Sequence, residues 1–484
     1  MESSVALPNI TNEYVSKSLR PEREIPVFKV AGIFSSHMVL QRDEPALIWG
    51  FSNAPGTIVT GKFMGEKREC TVNEDGRWHI EFSAHAIEKT PQTMTLSDAC
   101  GHKAELSDIL IGDVWLVGGQ SNAELTLKPC LILDKDIAFD ENAPIRLFAQ
   151  NQLYPYQHQE TCEYPSCDVI CPDWKWKRPD EEASLEFSAM GYYFAKELSE
   201  SIDIPVGMVM IAAGGACLRE LMTPSLAEKL HYGPGNICAA GYYNSLIHPI
   251  VPLRFKGMLY FQGESEGCGK SFADAYDKDL KLFVEDERKI FMRDFPFYYV
   301  QVSDYLDNCF TFFPWMDIVR VKQFDALSII PNAAMTVSMD LGSESEHPDW
   351  AHSPKKKALS KRLAALALSR EYGIGNEFAV TSPMPVSAVK KGNEIEITFK
   401  TAYPLVSDIN PLPGFSVGGY ENRVPAEAEI AGENIIRVKI PENADASHVN
   451  YAFSIRAAPE HASVKNQSGL PVPAFSMNVA EEAE

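Results

Sequence analysis

The stretch Ile111 to Glu124, IGDVWLVGGQSNAE, constrains the fold of this chain most. Val114 to Val117 is an apolar run that reads as a buried strand, and it breaks at Gly118 and Gly119 just before a serine. A buried parallel strand, a tight glycine turn and a helix start put a hydroxyl over the edge of an α/β sheet, where such folds carry their sites. Ser121 is therefore a candidate nucleophile. A serine after two glycines is also an ordinary turn or cap residue, so other stretches have to support the chemical reading.

The texture of the chain divides it into four parts: an arm over residues 1–24, a β-rich module over 25–107, an α/β region over 108–375 and a second β module over 376–484. The first part is polar and aperiodic. In the second, runs such as ALIWGF and TIVTGKF are separated by NAPG and EDG, the punctuation of an all-β module. Trp49 and Trp78 are expected in its core and His37 in a structural role. From residue 108, strand-like VWLVGG, VGMVMIAA, GMLYFQG and FYYVQV alternate with helical stretches such as FSAMGYYFAKELSES, which predicts a largely parallel sheet. EIEITF, IIRVKI and VNYAFSI mark the last module.

A net charge of −22 argues against nucleic acid as a partner, because the long-range field repels phosphate. No stretch is long and apolar enough to span a bilayer, so no membrane role is expected. The N-terminus lacks a basic start followed by an apolar segment; this reads as cytoplasmic, or as secreted or periplasmic if a leader has been removed. Cys162, Cys167 and Cys171 cluster without a zinc-ligand spacing, and they read as free thiols.

Three further stretches supply chemistry. MVMIAAGGACLRE is a second apolar strand that ends in glycines, Gly214 and Gly215, whose backbone N–H groups can approach an oxyanion. GMLYFQGESEG ends in Gln262, Glu264 and Glu266; the amide can donate to an oxyanion and a buried carboxylate can orient neighbouring donors. If that stretch is extended, Glu264 and Glu266 point the same way, too close together to flank a glycosidic bond. In DWAHSPKKKALSKRLA, Asp349 and His352 stand three apart, and Ser353 is expected to cap a helix that opens on Pro354. A histidine held on such a loop suits a general base, and Asp349 suits the group that orients it.

Ser, Gly, an amide and Asp-x-x-His, each near a strand or helix end, follow the order of the SGNH hydrolases. The pieces IFSSHMVLQRDEPALIWG, EDGRW, GDVWLVGGQSNAE, FSAMGYYFAKEL, IPVGMVMIAAGG, YYNSLIHPIVPLRFKGMLYFQGESE, HSPKKKALSKRLA and GLPVPAFSMN extend the match. Over nearly its whole length the chain resembles the sialate O-acetylesterases and related carbohydrate acetylesterases. The resemblance implies a three-layer, flavodoxin-like SGNH-hydrolase domain flanked by β-sandwich modules. It implies Ser121 as nucleophile, His352 as base, and an oxyanion hole from the Ser121 N–H, Gly214, Gly215 and Gln262. Gln120, Asn244, Glu264 and Arg219 are implied near the substrate.

The chain departs from the family pattern at Ala123, where methionine is usual, at Glu266, where asparagine is usual, and at Ser353, where many members have proline. Arg219 stands where an acidic residue is common, and Trp350 where the family often has its triad acid. The acid is therefore assigned to Asp349, with Glu346 and Asp340 as alternatives; His347 is the rival base. The expected reaction is cofactor-free serine esterase chemistry that removes O-acetyl groups from carbohydrates. Sialate comes first among substrates, with Arg219 or Arg254 available to a sugar carboxylate, and xylan, mannan or xyloglucan oligosaccharides come second. A non-catalytic carbohydrate-binding protein is the reading from another class.

Overall fold

One strand, β1 (Lys103–Gly119), runs through both the N-terminal β region and the α/β region. In a computed structural model, which describes residues 26–150, 165–230, 239–303, 313–342, 351–453 and 463–482, this strand crosses position 108 without a break. Its first half pairs antiparallel with Glu88–Asp98, and Val39–Gln41 lies parallel to Leu110–Gly112. The expected boundary at 107/108 thus falls inside a continuous strand.

The second half of β1 is central to a parallel sheet. It pairs with β3 (Val206–Ala212) on one side and β4 (Gly257–Phe261) on the other. Beyond them lie β2 (Ile145–Ala149) next to β3, then β5 (Phe297–Gln301) and β6 (Ala333–Val337) next to β4. The order 2-3-1-4-5-6 reverses at β1: the chain leaves β1 for the outer strand β2, returns to β3 beside β1, then crosses to the other side and builds outward through β4, β5 and β6. Ligands bind at such a switch point, outside the carboxyl ends of the strands.

Helices cover both faces of this sheet, and side-chain alternation fixes which. Val117 lies against Gly191 of α2 (Ala189–Ser201), and Trp115 meets Phe194 of the same helix. Tyr298, which is in register with Leu259 and hence with Val117, reaches Glu371 of α6 (Lys356–Glu371). Tyr260 is in register with Gly118, so it faces the other way and packs on Phe283 of α4 (Lys270–Ile290). Burial on both faces explains why the strands read as unbroken apolar runs rather than alternating ones.

In the N-terminal region Trp78 is buried, while Trp49 is half-buried with Phe34 edge-on to its ring at 4.5 Å. His37 binds Asp108 through Nδ1 at 2.7 Å, far from the carboxyl edge. The C-terminal region holds a five-stranded sheet and a four-stranded sheet, and Phe475 of the latter packs on Phe399 of the former.

Candidate active site

The turn that carries the candidate nucleophile is shaped by a backbone clash. Gly119 has φ +124°, and a Cβ there would lie 2.1 Å from the Phe261 carbonyl oxygen of β4. Only glycine lets β1 end so close to its neighbour. Gln120 then donates its N–H to that same Phe261 carbonyl at 3.0 Å, and the short helix α1 (Ser121–Glu124) begins. Half-buried Ser121 thus stands at the carboxyl end of the central strand. As the first helical residue it has an N–H with no intrahelical acceptor.

The turn after β3 carries the glycine pair. The Gly214 N–H donates to the Glu124 carboxylate at 2.7 Å, which takes it away from the expected role of oxyanion donor and ties this turn to α1. Gly215 is exposed, has φ +74°, and its N–H meets no acceptor among the described residues. Its carbonyl accepts the Ser265 hydroxyl at 2.9 Å. Between the two glycine candidates, the geometry favours Gly215.

Gln262 directly follows β4, but its amide is spent internally. It donates to the Ala216 carbonyl at 3.2 Å and to the Glu266 carboxylate, and its Oε1 accepts the Tyr276 hydroxyl at 3.0 Å. The expectation that Gln262 donates directly to an oxyanion does not fit these contacts; it braces the glycine turn from below. Glu266 completes the brace by accepting the Leu218 N–H at 2.6 Å. Burial pushes its carboxyl up to about 7, against the hydrogen bonds from Leu218 and Gln262 that favour the charged form.

The stretch after Gln262 is not extended. Glu264 has helical dihedrals and Ser265–Cys268 forms a 3-10 turn, so Glu264 and Glu266 diverge. While Glu266 reaches the glycine turn, Glu264 accepts a hydrogen bond from Asn122 at 2.7 Å. Gln120 is likewise turned inward: its Oε1 accepts from the N–H groups of Gly263 and Ser265, each at 3.3 Å.

His352 lies on the segment that leads into α6. The helix starts at Lys356 and not at Pro354; Ser353 accepts the Lys355 N–H at 3.3 Å instead of capping a helix that opens at once. Asp340 is held by Arg362 through two nitrogens at 2.7 and 2.5 Å, which commits that alternative acid elsewhere. Asp349, Glu346, His347 and Trp350 lie outside the described residues, as does Cys162.

Asn244 is buried in the turn Tyr243–Ile247, and Arg219 opens onto the same edge of the sheet in α3 (Leu218–Leu221), its Nε donating to the Ala227 carbonyl at 2.9 Å. Arg254 precedes β4, and nearby Lys256 bonds Val114 at the start of the parallel part of β1. That is the amino-terminal edge of the sheet, which removes Arg254 from any contact with a substrate at Ser121. Sequence reasoning passed over Glu124, Asn122 and Lys356. Asn122 had a signal in the quoted GQSN motif; Glu124 and Lys356 had none in the local pattern.

A family model described as carbohydrate esterase, sialic acid-specific acetylesterase matches residues 111–369, more than half of the chain. The chain belongs to this family. It is a carbohydrate esterase, and the matched span runs from β1 to α6. Relatives include the human sialate O-acetylesterase, 24% identical over 396 residues that cover 74% of this chain and 73% of the relative. The mouse sialate O-acetylesterase is 25% identical, with 74% and 76% covered. Among solved structures, a carbohydrate acetylesterase from Xanthomonas citri superposes with a TM-score of 0.80 at 25% identity, covering 93% of this esterase and all of that chain. No helix among the described residues is long and apolar enough to cross a membrane.

Proposed function

We propose that this esterase is an SGNH-type serine hydrolase that removes O-acetyl groups from sugars, with Ser121 as nucleophile and His352 as general base. The observation that carries the reading is the meeting of two loops: the residue after Ser121 donates a hydrogen bond to the residue before His352, from Asn122 Nδ2 to the Ala351 carbonyl at 3.1 Å. This meeting lies at the carboxyl end of β1, where the strand order reverses.

His352 takes the Ser121 proton as Oγ attacks the acetyl carbonyl. The N–H groups of Ser121 and Gly215 stabilise the oxyanion, with Glu124, Gln262 and Glu266 holding the Gly215 turn in place. Protonated His352 then gives its proton to the departing sugar hydroxyl, and water repeats the sequence on the acetyl-enzyme to release acetate. Asp349 is the proposed orienter of the imidazole. The proposed catalytic unit is 108–375, joined through β1 to an N-terminal β-sandwich module over 25–107 and followed by a C-terminal β module over 376–484.

The proposed substrate is an O-acetylated sialic acid, by analogy with the relatives named for that ester, and Arg219 is the proposed partner of its carboxylate. The net charge of −22 favours a second reading, a neutral acetylated oligosaccharide of the xylan, mannan or xyloglucan type. Acetate release from both classes, measured for the intact protein and for Ser121→Ala, decides. The serine variant is expected to lose all turnover, and a preference for sialate above about 100-fold, roughly 2.7 kcal/mol of transition-state discrimination, is expected of a carboxylate clamp. Unchanged turnover in Ser121→Ala would sink the serine mechanism.

A further inference from the structure

We infer that Asn122 is a positioning residue: its amide, bridging the buried Lys356 ammonium and the buried Glu264 carboxylate, sets where the His352 loop sits relative to Ser121. The inference rests on the reading of Ser121 and His352 as nucleophile and base and goes beyond it.

Asn122 is 3% exposed. Its Oδ1 accepts from Lys356 Nζ at 2.7 Å. Its Nδ2 donates to Glu264 Oε1 at 2.7 Å and to the Ala351 carbonyl at 3.1 Å. Three chain segments that carry the site therefore converge on one side chain: the nucleophile helix, the turn after β4 and the loop that bears the base. Lys356 and Glu264 are 3% and 4% exposed, and the lysine also stands over the Phe261 ring at 5.2 Å.

An amide is suited to this place for a reason of polarity. It alone among short side chains accepts from an ammonium with one arm and donates to a carboxylate with the other. The two buried charges also fix its orientation, because a flipped amide would turn its NH₂ toward Lys356 and its oxygen toward Glu264. The Ala351 carbonyl is then held by an N–H whose direction two charges have already set. Loss of the bridge removes one partner from each charge and the Asn122 contact from the base loop.

The test exchanges donor for acceptor across the Asn122 to Glu264 contact. Asn122→Asp keeps the side-chain shape and the Lys356 contact but places a carboxylate against Glu264 and the Ala351 carbonyl. Adding Glu264→Gln restores a donor on the other side. Acetate release and the rate of Ser121 labelling by a fluorophosphonate are measured for the full chain, well below its unfolding temperature, with Ser121→Ala alongside.

The Asn122→Asp variant is expected to lose at least about 100-fold in kcat and in labelling rate, with KM within about threefold. The double variant is expected to regain at least about tenfold in both. Wild-type kcat in Asn122→Asp, a loss confined to KM, or no regain in the double variant would overturn the inference. If Asn122→Asp does not fold, Lys356→Met replaces it and is expected to show the same split between kcat and KM; wild-type kcat there would overturn the inference equally. Persistent turnover in Ser121→Ala would instead overturn the nucleophile assignment, so the two failures are distinguishable.

Discussion

Glu266 shows how a single residue under the site makes stability depend on pH. Its carboxyl is fully enclosed, and burial lifts it from 4.5 to about 7. A carboxyl raised on folding contributes stability that is fully present below the unfolded value and is lost as pH rises through the folded one. The window is therefore about pH 4.5 to 7, and the loss over it is about 3 kcal/mol if the carboxyl ionises in place. Glu266→Gln removes the titration while leaving an oxygen for the Leu218 N–H. Urea unfolding at pH 5 and pH 8 checks this: the wild-type stability minus that of Glu266→Gln is expected to fall by up to about 3 kcal/mol between the two. Parallel curves would mean that Glu266 is ionised, or hydrated, at both pH values. Nothing in the residues around Glu266 in sequence marks it for this behaviour. Its state follows from enclosure by Gln262, Tyr260 and the turn at Leu218, which only the fold assembles.

At the scale of elements, the glycine turns were legible in the sequence and the helix starts were not, for one physical reason. A strand that must end against its neighbour or turn with positive φ demands glycine, and that demand is written locally at Gly119 and Gly215. At the start of α6 Ser353 binds the Lys355 N–H, and the first helical residue, Lys356, reaches Asn122 more than two hundred positions away, so a cap read from Ser353 and Pro354 alone placed the start two residues early. The turn after β4 was misread for a similar reason: the hydrogen bond from Asn122 to Glu264 is tertiary. The two glycines predict different costs. Gly215→Ala, whose Cβ would meet nothing within 4 Å, is expected to cost about 1–2 kcal/mol from its positive φ alone. Gly119→Ala, with a Cβ 2.1 Å from a carbonyl oxygen, is expected to cost on the order of 4 kcal/mol or more. Thermal unfolding of the two variants ranks them, and an equal or reversed ranking would show that β1 and β4 can separate at their ends.

For the whole molecule, the change of texture near residue 108 was visible in the sequence, but the continuity of β1 across it was not, because composition does not report which strands share hydrogen bonds. The other end of the α/β region is joined differently, by side chains. Gln301, the last residue of β5, donates to the Ala474 carbonyl and accepts the Ala474 N–H, both at 2.9 Å, and also donates to the Arg320 carbonyl at 2.9 Å. Arg423 of the C-terminal region reaches Asp317 at 3.2 Å while its guanidinium lies over the Tyr420 and Phe453 rings at 4.6 and 4.7 Å. Phe475, next to Ala474, packs on Phe324 across the same junction. The N-terminal region is thus continuous with the parallel sheet through a strand, whereas the C-terminal region is held to it, among the described residues, by side-chain contacts that include these buried polar and aromatic ones. The junction is the more sensitive to substitution, since a buried polar group that loses a partner there costs free energy that a strand-to-strand continuation does not put at risk. Gln301→Leu leaves the Ala474 N–H and carbonyl without that partner, which at about 1–3 kcal/mol per buried group is a loss of about 2–6 kcal/mol. Urea unfolding is expected to show the C-terminal region released in an early transition, separate from the loss of the catalytic sheet. A single transition at the wild-type midpoint would mean that the aromatic contacts around Phe475 and Arg423 hold the junction without Gln301.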